Sequence, residues 1–175
     1  MRYVALLRGI NVGGKHKVDM KRLKSIFLSL GCTNVSTYIN SGNAWFDSDK
    51  KPAELTSELS MKLEKEFGFA IPTIVKTLNE VKRIAAAIPA NWQNDSTHKC
   101  DVAYLFKEID SEQTLEKLPM NREYVDIRYI KGAIYWCVER RNYNKSRLNK
   151  IISNSNYQRM TVRNVNTARI LAQQS

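Results

Sequence analysis

Histidine is scarce in this 175-residue sequence, with only His16 and His98 present. Cysteine is nearly as scarce. Cys32, Cys100 and Cys137 are odd in number and far apart. That pattern argues for a reducing compartment and against a disulfide framework or a Cys-x-x-Cys zinc site. No metal site and no cofactor is expected. Long apolar runs are also missing. Tyr3 to Leu7 is cut short by Arg8, whereas a secretory core needs about 7–15 apolar residues and a membrane span about 18. The expected setting is cytoplasmic, with no membrane partner. Acidic residues vanish from one end: residues 140–175 hold eight Lys/Arg and no Asp/Glu, and residues 1–50 hold eight against three. The net charge of +11 therefore collects at the two ends of the chain. A basic surface concentrates anionic partners, but a merely solvated basic face has the same composition.

What is present is enough for a packed core, since 43% of residues are apolar. Tyr3 to Leu7 reads as a buried strand. Asp19 is placed to cap a helix running to Leu30, with Met20, Leu23, Ile26, Phe27 and Leu30 on one stripe. Gly31 ends it. Strands follow at 34–39 and 43–46, joined by Asn40-Ser41-Gly42, which is hairpin chemistry. Pro52 opens a second helix with leucines every four residues, Gly68 closes it, and residues 72–77 read as a strand. The order is βαββαβ, the ferredoxin-like arrangement. A short helix at 78–88 follows. The order then repeats: strand 101–107, helix 111–118, strands 123–130 and 133–139, helix 144–153, strand 160–163 and a last helix 165–173. The expected fold is α+β, two tandem ferredoxin-like units produced by duplication and packed together. The expected boundaries are 1–90 with an added helix, a polar connection at 91–99, and 100–175. In the strand at 133–139 both faces are apolar. Packing between halves explains this, and an aromatic platform for bases is the functional alternative.

The chain's most unusual stretch is Arg8-Gly9-Ile10-Asn11-Val12-Gly13-Gly14-Lys15. Gly9-x-x-x-x-Gly14-Lys15 matches a phosphate loop superficially, but His16 stands where Ser or Thr must hold magnesium. The following helix also begins about four residues too late. The glycine spacing fails the dinucleotide pattern as well. Two readings stay open: a nest of backbone N–H groups with Arg8 and Lys15 around an anion, or a tight connection that needs glycine for its backbone angles. Ser146 and Arg147 stand where a helix N-terminus would favour an anion, unless Ser146 is only a cap. Thr161 to Thr167 is polar and basic before the last helix. There Asn166 and Thr167 suit capping and Arg163 does not.

Leu6 to Gly14 resembles the opening signature of the bacterial family called domain of unknown function 1697. Tyr38 to Asn43 resembles its second motif. Ser146-Arg147-Leu148 resembles its Ser-Lys-Leu. Thr161 to Thr167 resembles its closing Thr-x-Arg-Asn-Trp-Asn-Thr, with Val165 in place of Trp. The resemblance implies a cytoplasmic α+β protein of ferredoxin-like units and supplies no activity.

The expected function is therefore binding of a phosphate-bearing small molecule or nucleic acid. The candidate lining is Arg8, Gly9, Asn11, Gly13, Gly14, Lys15, Ser41, Asn43, Ser146, Arg147, Arg163, Asn164, Asn166 and Thr167. One alternative is an enzyme on a small anionic metabolite, with Arg8 and Arg163 as clamps and His16 as acid or base. No spacing favours a Ser41–His16–Asp triad, and no G-x-S-x-G elbow occurs. The other alternative is a structural protein whose motifs serve the fold.

Overall fold

The computed structural model describes residues 1–174. The chain divides into two compact units, Met1–Asn79 and Glu80–Ser175. Each holds a four-stranded antiparallel sheet with interleaved helices, as a duplicated ferredoxin-like unit requires.

In the first unit, β1 (Arg2–Leu7) is central. It pairs with β3 (Asn43–Asp47) on one side and β4 (Thr73–Thr77) on the other. β2 (Thr33–Tyr38) adds to the outside of β3. Tyr3 to Leu7 are all buried, which is why this stretch is apolar without alternation. α1 (Met20–Ser29) starts where expected, with the Asp19 carboxylate accepting from the Arg22 N–H at 2.8 Å. α2 (Pro52–Phe67) carries proline in its first turn and ends at Gly68 in the left-handed region. Its Leu55, Leu59 and Leu63 are fully buried, together with Leu23, Phe27 and Phe46. Each such leucine contributes roughly 1.5–3 kcal/mol of hydrophobic stabilisation. The acidic face of α2 is solvated and paired: Glu58 meets Lys50 at 2.6 Å, and Glu66 meets Lys62 at 3.6 Å and Arg22 at 3.1 Å.

α3 (Leu78–Ala86) follows β4. The second sheet comprises β5 (His98–Leu105), β6 (Val125–Ile130), β7 (Ala133–Glu139) and β8 (Met160–Asn164). Its order, β6-β7-β5-β8, repeats the β2-β3-β1-β4 order of the first. α4 (Glu112–Glu116) is a single short helix, and α5 (Val165–Ala172) closes the unit. The main departure lies between β7 and β8. A helix over 144–153 is expected there, but the chain forms short 3₁₀ turns at Arg140–Asn142, Leu148–Ser153 and Ser155–Arg159. Arg147 is the cause. Its φ of +60° is left-handed, which interrupts any α-helix through it. Leu148 and Ile151 still reach the core, while Ile152 is turned out to solvent.

Strand pairing also corrects the expectation of unlinked cysteines. Cys100 and Cys137 are direct partners in the β5–β7 ladder, with Cα atoms 4.0 Å apart, and form a disulfide. Cys32 is free and buried. On β7 no aromatic platform is open to bases. Tyr135 and Trp136 are buried, Tyr135 meets Trp92 edge-on at 5.8 Å, and Trp136 donates to the Asp101 carboxylate at 3.3 Å.

Gly42 occupies a tight position. Its φ is +80°, and an added Cβ would lie 2.7 Å from Leu7 Cβ and 2.6 Å from Ile10 Cδ1. At Gly68 the angle is similar, at +78°, but nothing lies within 4 Å. Gly42→Ala is expected to cost roughly 2–4 kcal/mol, from backbone strain plus overpacking, and Gly68→Ala about 1 kcal/mol. Urea denaturation of the two variants checks the order; equal losses would refute the steric account.

Candidate functional site

The first two motifs meet in the first unit. Leu7 N–H donates to Gly42 O at 2.8 Å, so the end of β1 is tied to the turn between β2 and β3. From there the chain runs out as an exposed loop and returns at Val18. Asn11 holds the two sides of that loop together. Its Oδ1 accepts from Val18 N–H at 2.9 Å, and its Nδ2 donates to Val18 O at 3.0 Å and Asn40 O at 2.8 Å. Its φ of +54° is tolerated because asparagine visits the left-handed region more readily than most residues. Its backbone N–H reaches His16 O at 3.1 Å. Val12 to Lys15 is then a two-residue hairpin turn. Gly13 and Gly14 have φ of +58° and +74°, and Lys15 N–H donates to Val12 O at 3.1 Å. An anion nest needs alternating backbone handedness, so this glycine pair makes the turn and not a nest.

His16 stacks on Phe69 with ring centroids 4.6 Å apart, and its Nδ1 lies 3.3 Å from Gly9 O. Arg8 is half-buried, and its backbone N–H donates to Pro72 O at 2.9 Å. Asn43 is fully buried, and its Nδ2 donates to Tyr38 O and to the Ser41 hydroxyl, both at 3.0 Å. Beside the loop lies a cavity of about 620 Å³ lined by Asn11, Gly14, Lys17, Asp19, Lys21 and Asn40, among others. Lys15, Lys17 and Lys21 are exposed, whereas the Asp19 carboxylate is engaged in capping α1. Lys17, Lys21 and Asn40 were absent from the sequence-level candidates. The signal was present: Lys17 closes the loop, and Lys21 sits in the first turn of the next helix.

The candidate residues of the second unit occupy two places. Ser146 is buried, donates to Tyr143 O at 2.6 Å and accepts from Leu148 N–H at 3.2 Å. Its carbonyl accepts from Asn121 N–H at 2.8 Å. It is a turn cap, and the six-residue 3₁₀ segment that follows is not the helix an anion site needs. Arg147 beside it is exposed. The other group surrounds the start of α5. The Asn164 Oδ1 accepts from Thr167 N–H at 2.8 Å, so Asn164, and not Asn166 or Thr167, is the helix cap. Asn166 pairs both ways with the backbone of Asn94, at 3.0 and 3.4 Å. Arg163 is buried and donates to the Thr161 hydroxyl at 3.0 Å and Val162 O at 2.9 Å. Burial pushes its pKa down to about 10, partly opposed by Tyr104, so it stays cationic at neutral pH. The same burial pushes the Tyr104 hydroxyl up. Elsewhere in this unit, His98 N–H and the Thr97 hydroxyl and N–H hold the Asp95 carboxyl down at about 2.

Among the described residues no group of His, Cys, Asp and Glu is arranged to hold a metal. No helix among them is long and apolar enough to cross a membrane. Residues 1–136 match a family model described as a protein of unknown function, DUF1697. A solved structure, of the conserved bacterial protein SP0830 from Streptococcus pneumoniae, is 30% identical. The match covers 98% of this chain and 97% of that one, with a TM-score of 0.83. No curated protein matches the chain.

Asn11→Ala is expected to cost about 1–3 kcal/mol, because it leaves the Val18 N–H and carbonyl and the Asn40 carbonyl without their side-chain partner. It should also accelerate hydrogen exchange at the Val18 amide. Asn164→Ala should cost about 1 kcal/mol, as loss of a helix cap does, and leave that amide unchanged. Urea titration with amide exchange separates the two. Slow Val18 exchange in Asn11→Ala would show that the loop does not need this clamp.

Proposed function

The chain belongs to the DUF1697 family of proteins of unknown function, and we propose that it binds a phosphate-bearing partner, a nucleotide or single-stranded nucleic acid, on the basic side of the 8–18 loop. The observation that carries this reading is the cavity between Asn11, Asn40, Lys17 and Lys21, with Lys15 exposed on the neighbouring turn. Two ammonium groups line it, and the one carboxylate among the lining residues, Asp19, is turned to the helix start. Ammonium groups on flexible stems suit phosphate oxygens as point charges. The Asn11 clamp holds the loop in place before any ligand arrives, which lowers the ordering cost of binding. The proposal rests on the first unit alone. Gly9, Gly13, Gly14, Ser41 and Asn43 support it by shaping the backbone, and Arg8 by standing at the root of the loop. Ser146, Arg147, Arg163, Asn164, Asn166 and Thr167 belong to the second unit and are not needed for it.

A second reading has its own observation. Asn11, Asn43, Ser146, Asn164 and Asn166 all direct side-chain hydrogen bonds to backbone groups of the chain. On this reading the motifs serve the fold and carry no ligand. The enzyme reading gains nothing comparable, because His16 is spent on Phe69 and the Gly9 carbonyl.

Fluorescence anisotropy with a labelled single-stranded RNA, repeated across salt concentrations, tests the proposal. Affinity is expected to fall with salt, with a log–log slope of about −0.7 per phosphate contact. Lys17→Ala/Lys21→Ala should make that slope shallower by roughly 1–2, with the circular dichroism spectrum unchanged. Absence of binding to RNA and to nucleoside triphosphate at low salt favours the structural reading.

A further inference from the structure

We propose that Cys100 and Cys137 are a reversible redox pair, opened and closed in the folded protein by low-molecular-weight thiols and disulfides that enter through a cavity beside β7. Three observations in the second unit carry this. First, the two residues face each other in a continuous antiparallel ladder that runs from His98↔Glu139 to Tyr104↔Ala133. Pairs on both sides, Lys99↔Val138 and Asp101↔Trp136, hold the strands whether or not the sulfurs are bonded. The cysteines therefore remain neighbours after reduction, at a local concentration that favours reclosure. Second, access is one-sided. Cys100 is fully buried, whereas Cys137 lies on the wall of a cavity of about 680 Å³ with Trp92, His98, Tyr124, Asp126 and Glu139. Third, the remaining cysteine is insulated. Cys32 is buried in the first unit, and that burial pushes its thiol pKa up, which suppresses the reactive thiolate.

The chemistry is ordinary thiol–disulfide exchange. A glutathione thiolate attacks the Cys137 sulfur from the cavity. The Cys137–Cys100 bond breaks, and Cys100 leaves as a thiolate that takes up a proton. A second glutathione thiolate attacks the mixed disulfide at the glutathione sulfur, which releases Cys137. Two glutathiones have become one glutathione disulfide, and the protein has gained two thiols. The reverse sequence, with glutathione disulfide as oxidant, closes the pair. Because Cys137 borders the cavity and Cys100 is fully buried, the attack falls on the Cys137 sulfur.

Wild-type protein is equilibrated under native conditions in glutathione buffers of varied redox ratio, quenched in acid, denatured and alkylated for mass spectrometry. In excess glutathione disulfide, only Cys32 should be labelled. In excess glutathione, all three cysteines should be labelled, with the same midpoint approached from either side. Peptide mapping must place the change at Cys100 and Cys137. Cys32→Ser should retain the two-thiol change and Cys137→Ser abolish it; if Cys137→Ser fails to fold, the wild-type peptide map decides. Three labelled thiols persisting in excess disulfide overturn the proposal. So does a single labelled thiol after native equilibration in excess glutathione, or a glutathione adduct on Cys137 without the Cys100 crosslink.

Discussion

The first unit depends on the contact between Gly42 and the end of β1. The bond from Leu7 N–H to Gly42 O closes the central strand against the β2–β3 turn. The missing Cβ of Gly42 is the space that Leu7 and Ile10 fill. From that junction the chain leaves the sheet as the 8–18 loop, and Asn11 ties the loop to the same turn through Asn40. Two motifs joined by a contact across 29 residues of sequence thus become one structural corner. The corner explains why these stretches are rich in glycine and asparagine. Both sides of it need left-handed backbone, at Gly9, Asn11, Gly13, Gly14 and His16 on one side and Ile39 and Gly42 on the other.

Polar residues in the motifs work mainly through the backbone. Asn43 is buried inside the hairpin turn, Ser146 ties the turn before Leu148, and Asn164 caps α5. Each satisfies a backbone group that would be costly to leave unpaired. This separates two tasks that look alike in the sequence. Asparagine and serine build the corners, and lysines around them set the charge. The cavity beside the loop carries Lys17 and Lys21 because they flank the corner, not because they belong to its motif. The anion-binding role we propose therefore rests on these two lysines and not on the motif residues.

The second unit keeps the sheet order of the first but not its helices. Where α2 packs sixteen residues of amphipathic helix, the second unit uses 3₁₀ turns broken at Arg147. Leu148 and Ile151 fill the core from these turns, so the sheet stays covered without a long helix. The polar stretch before β5 is fastened to α5 by Asn166 on Asn94 and by Arg169 on the carbonyls of Pro89 and Trp92. Trp92 then lies against Tyr135 on β7 and under the Arg128 guanidinium. Trp92 is also on the wall of the cavity that Cys137 borders.

Much of the fold was legible from local signals. Asp19, Pro52 and Gly68 mark helix ends through capping and backbone angle, and leucines every four residues mark α2; these effects act within a few residues. The βαββαβ order followed, and with it the two antiparallel sheets. What only the tertiary structure decided is long-range. The register of β5 on β7 joins Cys100 to Cys137 across 37 residues, a pairing that spacing alone does not encode. Positive φ at Ile39 and Arg147 is unfavourable locally and persists because surrounding contacts hold it. The 3₁₀ path between β7 and β8 was hidden for that reason. The candidate site divides in the same way: its glycines and asparagines were visible as a motif, but the backbone groups they bind, and the lysines they bring to one cavity, were determined by contacts between distant segments.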